Sequence, residues 1–162
     1  NHNIRDNCMT STKKMLFVCL VVILTGCATK KEGMPKIKQG VFGTLNWIEG
    51  NMMPSPDEPK AKAHKVVTRE LQVYEVVTFK DVEGEAPLFT KVKGRLIKTI
   101  KSNANGFYEC ELAVGEYSVF TVEPDGKLFA NNFDGSGKIN PVSVISGSVI
   151  KLDIQINYKA AY

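Results

Sequence analysis

The sequence offers few residues whose type and spacing suit catalysis. His64 is the only histidine beyond the second residue, so the rest of the sequence has neither a pair of histidines for zinc nor a His-Glu-x-x-His motif. A Ser-His-Asp triad would need His64 as its base, yet His64 lies in a stretch rich in proline and lysine, and no Gly-x-Ser-x-Gly sequence accompanies it. We therefore expect His64 to be a solvated loop residue and the protein not to be an enzyme.

Three pairs of neighbouring carboxylates are the next candidates, at Asp57-Glu58, at Glu83 and Glu85, and at Glu109 and Glu111. On a strand, Glu109 and Glu111 would share one face about 7 Å apart, a separation that suits the acid and base of a glycosidase. The surrounding strand pattern places both on the outward face, where no cleft is implied. We therefore expect a solvated face there.

Two further features could bind a ligand without catalysis. Residues 131–137 read NNFDGSG and resemble a cation-binding loop in their oxygen content, although they lack the spacing and the final glutamate of an EF-hand loop. An Asp-Gly turn is the simpler interpretation. Trp47 could stack against a sugar ring, or it could be a core residue at the end of a strand. A glycan and a cation both remain open as ligands.

The clearest chemistry belongs to Cys27. Residues 9–27 read MTSTKKMLFVCLVVILTGC, in which two lysines precede the ten apolar residues 15–24. A bilayer-spanning helix needs about 20 such residues, so this run is typical of a secretory signal. It ends in Leu24-Thr25-Gly26-Cys27, which resembles the lipobox of bacterial lipoproteins. That resemblance implies cleavage before Cys27, attachment of a diacylglyceryl group to its thiol and acylation of its freed amine.

This interpretation divides the chain into parts. Residues 1–8 have no role, residues 9–26 are the signal peptide, and residues 27–39 are a short charged tether. Ala28 follows the lipidated cysteine, which by resemblance to sorted lipoproteins favours the outer membrane and leaves the periplasmic and surface-exposed faces open. Only Cys110 lies beyond the anchor, so no internal disulfide and no cysteine-based zinc site is expected in the mature chain.

Length and charge exclude other classes of protein. The 162 residues are 43% hydrophobic and 23% charged, which suits one globular domain and excludes coiled-coil, collagenous and wholly disordered chains. Removing residues 1–26, which contain three basic residues and one acidic residue, lowers the formal charge from +4 to +2, and the signs alternate along the rest. A nucleic-acid partner is not expected, because such proteins carry a stronger basic stripe.

From residue 40 onward the apolar pattern has period two, and turn residues separate short apolar runs, which predicts an all-β sandwich or barrel. The clearest strand covers residues 149–158, and its alternation predicts a half-buried strand of an antiparallel sheet. The other expected strands are 41–48, 66–79, 96–100, 108–112, 116–122, 128–130 and 142–145. Two stretches of about fifteen residues, 51–65 and 80–94, are expected to be long loops, which are usually functional or mobile.

Several motifs resemble carboxypeptidase regulatory-like domains. The central one, KSNANGFYECELAVGEYSV at residues 101–119, follows the family pattern Thr/Ser-Asp-x-x-Gly-x-Phe-x-x-x-Leu-x-x-Gly-x-Tyr. It departs from the pattern with Asn103 in place of Asp and Tyr108 in place of Phe. GVFGTLNW at residues 40–47 and GSVIKLDI at residues 147–154 add to the resemblance.

The resemblance extends over roughly residues 40–158. It implies that residues 40–162 form a seven-stranded Greek-key β-sandwich of the transthyretin (prealbumin) type. The motif also makes physical sense, because Gly106 permits a turn and Tyr117 returns to the core after a hairpin.

A second pattern, Trp47-Ile-Glu-Gly50-Asn51-Met-Met53-Pro54, resembles a group of small lipoproteins with Trp-x-x-Gly-Asn-x-Met-Pro after the first strand. The resemblance carries over no catalytic, cofactor-binding or metal-binding residue, because the sandwich is an accessory domain. We therefore expect a non-enzymatic outer-membrane lipoprotein, without a cofactor, whose sandwich binds or assembles with an envelope protein through the loops 51–65 and 80–94. The alternative is a surface lipoprotein that binds a glycan or a cation through Trp47 and residues 131–137.

Overall fold

The computed structural model describes residues 33–53 and 64–162, which form an all-β domain of two sheets. Among these residues, no helix has the length and apolarity that crossing a bilayer requires. The expected signal peptide and Cys27 lie outside the described residues. The strands are β1 (Gly40–Asn51), β2 (Lys65–Val66), β3 (Glu70–Glu75), β4 (Val82–Glu85), β5 (Leu88–Val92), β6 (Leu96–Lys101), β7 (Phe107–Glu111), β8 (Gly115–Val122), β9 (Leu128–Phe129), β10 (Pro141–Val144), β11 (Val149–Lys151) and β12 (Ile154–Ala161).

β1 is the central strand of the smaller, five-stranded sheet. On one side it pairs antiparallel with β2 and β7, and on the other it pairs parallel with β11 and β12. The expectation of one antiparallel strand over residues 149–158 is therefore wrong in two respects. The segment is interrupted at Leu152 and Asp153, and both halves run parallel to β1.

The interruption between β11 and β12 has a local cause in β1. The Leu152 amide donates to the Phe42 carbonyl at 2.7 Å, and the Asp153 carboxylate accepts from the amide and the hydroxyl of Thr44 at 2.9 and 3.0 Å. A Cβ atom at Gly43 would lie 1.9 Å from the Leu152 carbonyl oxygen. Glycine at position 43 therefore allows the two intervening residues to lie against β1.

The larger sheet has seven strands in the order β4-β5-β9-β8-β3-β6, with β10 also paired to β8. All of these pairs are antiparallel. The expected strand at 66–79 is divided into β2, β3 and a 3-10 turn at Phe79–Asp81. The described residues thus contain twelve strands, where the resemblance implied seven.

The main core lies between the two sheets, and the inward positions expected in the central motif are confirmed. Tyr117 is 7% exposed and Cys110 is 1% exposed, and burial raises the pKa of the Cys110 thiol. The Tyr117 hydroxyl donates to the Ala113 carbonyl at 3.0 Å. The largest side chains of this core that are almost wholly buried are Tyr108, Phe129, Leu45, Leu71 and Ile156.

A second apolar cluster lies on the opposite face of the larger sheet, and it shows that the expected long loop at 80–94 is wrong. Those residues contain the antiparallel hairpin β4–β5, whose Phe89 is 1% exposed. Phe89 packs edge-on against Phe120 of β8 with ring centres 6.0 Å apart, and Phe120 packs in the same way against Tyr74 of β3. Gly84 and Pro87 interrupt the alternation of the hairpin, which concealed it in the sequence.

The strand register distinguishes two ends of the sandwich. At the Gly40 end, β1 begins opposite Glu111 and β8 begins opposite Val144. The Trp47 end contains the second half of β1 and the last residue of β8, Val122. The eight residues of β8 cross from one end to the other over about 24 Å.

Candidate functional site

Trp47 is half-buried at the edge of the main core. Its ring meets the Tyr158 ring edge-on, with centres 5.1 Å apart, and its Nε1 donates to Glu49 at 2.8 Å. The Arg69 guanidinium and the Lys159 ammonium each lie 5.8 Å from the centre of the indole ring. A sugar that stacked on Trp47 would therefore have to compete with cations of the same chain.

A buried carboxylate, Glu123, connects the groups around Trp47. Its side chain is fully buried, and its Oε2 accepts from Arg69 Nε at 3.2 Å and from the Tyr158 hydroxyl at 3.0 Å. Its Oε1 accepts from the Thr121 hydroxyl at 2.9 Å. Because Arg69 and Tyr158 also contact Trp47, these five residues form one unit, the Trp47 cluster.

The Trp47 cluster holds its phenol in the neutral form. Burial, followed by the charge of Glu123 and the hydrogen bond to it, raises the pKa of Tyr158 to about 12. Among the described residues, every buried side-chain nitrogen and oxygen has a hydrogen-bond partner. The cluster is therefore suited to fixing this end of the core, since satisfied buried networks make packing rigid and specific.

The sequence analysis missed Glu123, although a signal was present. Val119 and Thr121 face inward along β8, so Glu123 at the next position of the same parity is a carboxylate directed toward the core. The chain turns immediately afterwards, where the Glu123 amide donates to the Lys127 carbonyl and the Gly126 amide donates to the Glu123 carbonyl, both at 2.8 Å. A charged residue in such a position needs hydrogen-bond partners, which would have pointed to a buried ion pair.

Residues 131–137 form a turn that uses its acidic side chain internally. Asp134 Oδ1 accepts from the amide and hydroxyl of Ser136 at 2.9 and 2.8 Å and from the Lys138 amide at 2.8 Å. These donors, the Ser136 hydroxyl foremost, lower the pKa of Asp134. The contacts are those of an Asp-Gly turn. In the part of the chain that the structure describes, no group of three His, Cys, Asp or Glu side chains is placed to hold a metal ion.

An exposed pair of aromatic rings lies beside this turn. Phe79 is 47% exposed and Phe133 is 36% exposed, and their ring centres are 5.0 Å apart. Phe79 begins the 3-10 turn, which is capped by hydrogen bonds from the Thr78 amide and hydroxyl to Asp81, both at 2.8 Å. The Phe79 amide also donates to the Gly137 carbonyl at 3.3 Å, which ties the two segments together. The sequence analysis did not single out Phe79, whose only signal was an aromatic residue at the end of an expected strand.

The other candidates that fall among the described residues do not come together as a site. His64 is exposed. Glu83 pairs with Lys93 at 3.1 Å, and Glu109 accepts a hydrogen bond from the Lys36 amide at 2.6 Å. Each contact links two segments of the chain that lie next to each other in the fold.

The lipid-carrying Cys27 and the pair Asp57-Glu58 lie outside the described residues. Of the expected loop at 51–65, Asn51 ends β1 and Lys65 begins β2, and residues 54–63 lie outside the described part.

Comparisons of this chain with known protein families, with curated proteins and with solved structures found no match.

Proposed function

We propose that this protein is an outer-membrane lipoprotein, anchored through lipid on Cys27, whose β-sandwich is a non-enzymatic binding module for an envelope protein. The anchor is supported by residues 9–27, where two lysines, ten apolar residues and Leu-Thr-Gly-Cys follow one another. Acyl chains on the thiol-linked glycerol and on the amine bury enough methylene groups to hold a protein at a bilayer.

The finer fold assignment, a transthyretin-like Greek key of the carboxypeptidase regulatory-like type, is part of this proposal. Its support comes from the signature turn. Asn103 Oδ1 accepts from the amides of Asn105 and Phe107 at 2.9 and 3.0 Å, and Gly106 has a φ of 70°. Both hydrogen bonds need only a side-chain oxygen that accepts at position 103. Asparagine has such an oxygen, as does the aspartate of the family pattern, so either residue can stabilise this turn.

The exposed pair Phe79 and Phe133 is the observation that carries the binding role. Aromatic rings that remain exposed beside one another are typical of contact surfaces, where such residues supply much of the binding energy. The Phe79 ring lies 6.4 Å, centre to centre, from the ring of Phe89 in β5, so the surface adjoins the segment 80–94 singled out in the sequence. We therefore propose that the envelope partner contacts this side of the larger sheet.

The Trp47 cluster supports a non-enzymatic role. Its carboxylate, phenol, hydroxyl and guanidinium are hydrogen-bonded to one another. A general acid or base would instead need to reach a proton on a substrate.

Crosslinking in intact cells tests the binding surface. A photo-reactive amino acid at Lys80, which is exposed next to Phe79, should crosslink to an envelope protein. The double variant Phe79→Ser, Phe133→Ser should lose this crosslink, whereas Val66→Ser, at a residue that is 48% exposed on β2, should retain it. Equal yields in the two variants and the parent would contradict the proposed surface.

The anchor is tested separately by substitution of Cys27. Cys27→Ser should abolish labelling by a fatty-acid analogue and leave the protein uncleaved or free of the membrane, because only a thiol accepts the diacylglyceryl group. Labelling that persists in the variant would remove the lipoprotein proposal.

A glycan is the second candidate partner, because Phe133 belongs to the polar turn 131–137 and an exposed ring beside amide and hydroxyl groups can stack a sugar. A glycan array with the full chain distinguishes the two candidates. Binding that is lost in Phe79→Ser, Phe133→Ser, with no protein crosslink in cells, would favour the glycan.

A further inference from the structure

The segment that leads to Cys27 joins the domain at the Gly40 end. The Gln39 side chain donates from Nε2 to the Leu112 carbonyl at 2.8 Å and accepts from the Gly147 amide at 3.0 Å. The Gly40 amide donates to the Ser148 carbonyl at 3.0 Å. The chain is thus fixed between the β7–β8 and β10–β11 turns before it continues toward its N-terminus.

Two large aliphatic side chains are exposed on those same turns. Val114 is 61% exposed and Ile145 is 58% exposed. Each lies one residue beyond the last register pair of β8 and β10, in which Gly115 is opposite Val144, so both are at the same end of these two strands. Exposed apolar groups at the tips of turns are suited to contact with a membrane or another apolar surface.

The Gly40 end carries charges of both signs, because the side chains of Glu111, Lys38 and Lys98 are all exposed there. Glu116 pairs with Lys138 at 2.8 Å, and the Lys98 ammonium lies 3.2 Å from the carbonyl oxygen of Glu111. Lys38 is exposed directly before Gln39. Cations beside the chain's attachment point are attracted to anionic headgroups.

The length of the chain limits how far this end can be from the anchor. Nine positions separate Cys27 from Lys36, whose amide is the first described group bonded to the sandwich. Fully extended, nine residues reach about 30 Å. A connection this short keeps the Gly40 end at a high effective concentration near the bilayer, so even a weak contact would be populated.

We propose that the Gly40 end of the sandwich lies on the membrane that holds the lipid anchor, with Val114 and Ile145 in contact with lipid. This inference rests on the proposed lipidation of Cys27. It directs the Trp47 end away from the bilayer.

Spin labels on the full-length lipidated protein test this orientation. The protein is reconstituted in vesicles of phosphatidylethanolamine and phosphatidylglycerol, with a label at Val114→Cys, at Ile145→Cys or, as a matched control at the Trp47 end, at Val66→Cys. Cys110 is 1% exposed and stays unlabelled while the domain is folded. Labels at 114 and 145 should be accessible to oxygen and protected from a water-soluble nickel chelate, whereas the label at 66 should be open to the chelate.

The other possible results distinguish a failure of the proposed orientation from a failure of the proposed lipid anchor. If Cys27 carries lipid but the labels at 114 and 145 are as open to the chelate as the label at 66, the orientation is wrong and the lipoprotein proposal stands. Absence of lipid on Cys27 overturns both. Protection that persists in detergent micelles, together with dipolar broadening between labels, would assign this end to a second copy of the chain and overturn the membrane contact.

Discussion

The two ends of the sandwich differ in one feature each, a buried ionic network at the Trp47 end and a pair of exposed aliphatic side chains at the Gly40 end. At the Trp47 end a carboxylate, Glu123, is fully buried and bonded to Arg69, Thr121 and Tyr158. At the Gly40 end the aliphatic side chains of Val114 and Ile145 are turned outward. Burying a charge without partners is costly, whereas exposing a single aliphatic side chain costs little. Substitutions within the Trp47 cluster should therefore affect folding, and substitutions of the exposed residues at the Gly40 end should affect surface contacts.

The largest loss of stability is expected beneath the exposed Gly40 surface, at Tyr117. Its ring is 7% exposed and its hydroxyl donates to Ala113. Tyr117→Ala should lower the free energy of unfolding by about 4 kcal/mol in urea titrations, because it leaves a large cavity. Tyr117→Phe is the control and should lose about 1 kcal/mol, the contribution of one hydrogen bond. A melting temperature within about two degrees of the parent for Tyr117→Ala would show that the ring does not fill the core.

The next largest loss is expected at Glu123, in the Trp47 cluster. Glu123→Ala should cost about 3 kcal/mol, because it leaves the guanidinium of Arg69 and two hydroxyl groups without their acceptor. The chain has one tryptophan, Trp47, so its fluorescence reports this end alone, and its emission should shift in the folded variant. Glu123→Gln should lose less stability, since an amide oxygen still accepts. If Glu123→Ala leaves both the stability and the tryptophan emission unchanged, the Glu123 carboxylate does not stabilise the Trp47 cluster.

A smaller effect at the Trp47 end depends on alkaline pH. The pKa of Tyr158 is about 12 in the folded protein and near 10 when the chain is unfolded. Between these values the folded state keeps a proton that the unfolded state has lost, so this group makes stability fall as pH rises through that window. Tyr158→Phe removes the contribution, and its stability should decline less steeply over that range in denaturant titrations. Parallel declines for the parent and the variant would contradict the raised pKa.

The smallest effect on folding is expected for the exposed aliphatic residues of the Gly40 end. Val114→Ser combined with Ile145→Ser should change the free energy of unfolding by no more than about 0.5 kcal/mol, as for other surface substitutions. Val66→Ser serves as the matched control at the Trp47 end. A loss above about 1 kcal/mol in the double variant alone would show that these side chains stabilise the fold, and the contrast between the ends would then fail.

The sequence predicted those features of the fold that depend on alternation. Side chains alternate along residues 149–158 as expected, and Tyr108, Cys110 and Tyr117 face the core. It could not predict that β12 runs parallel to β1, because the alternation of faces is the same in both kinds of sheet. The hairpin β4–β5 was missed because Gly84 and Pro87 disguise two short strands.

The candidate sites were harder to predict because they depend on contacts between distant segments. Glu123 and Arg69 lie 54 positions apart in the chain, and only the pairing of β3 with β8 brings them together. Phe79 and Phe133 meet because the Phe79 amide bonds to Gly137. Neither pair has a local sequence signal that specifies its partner.

Mass spectrometry of the intact protein extracted from membranes tests the central proposal, the lipid anchor, most directly. We expect a chain that begins at Cys27 and carries the added mass of a diacylglyceryl group with an acylated amine. A chain that retains residues 9–26, or one that begins at another residue without the lipid mass, would contradict it.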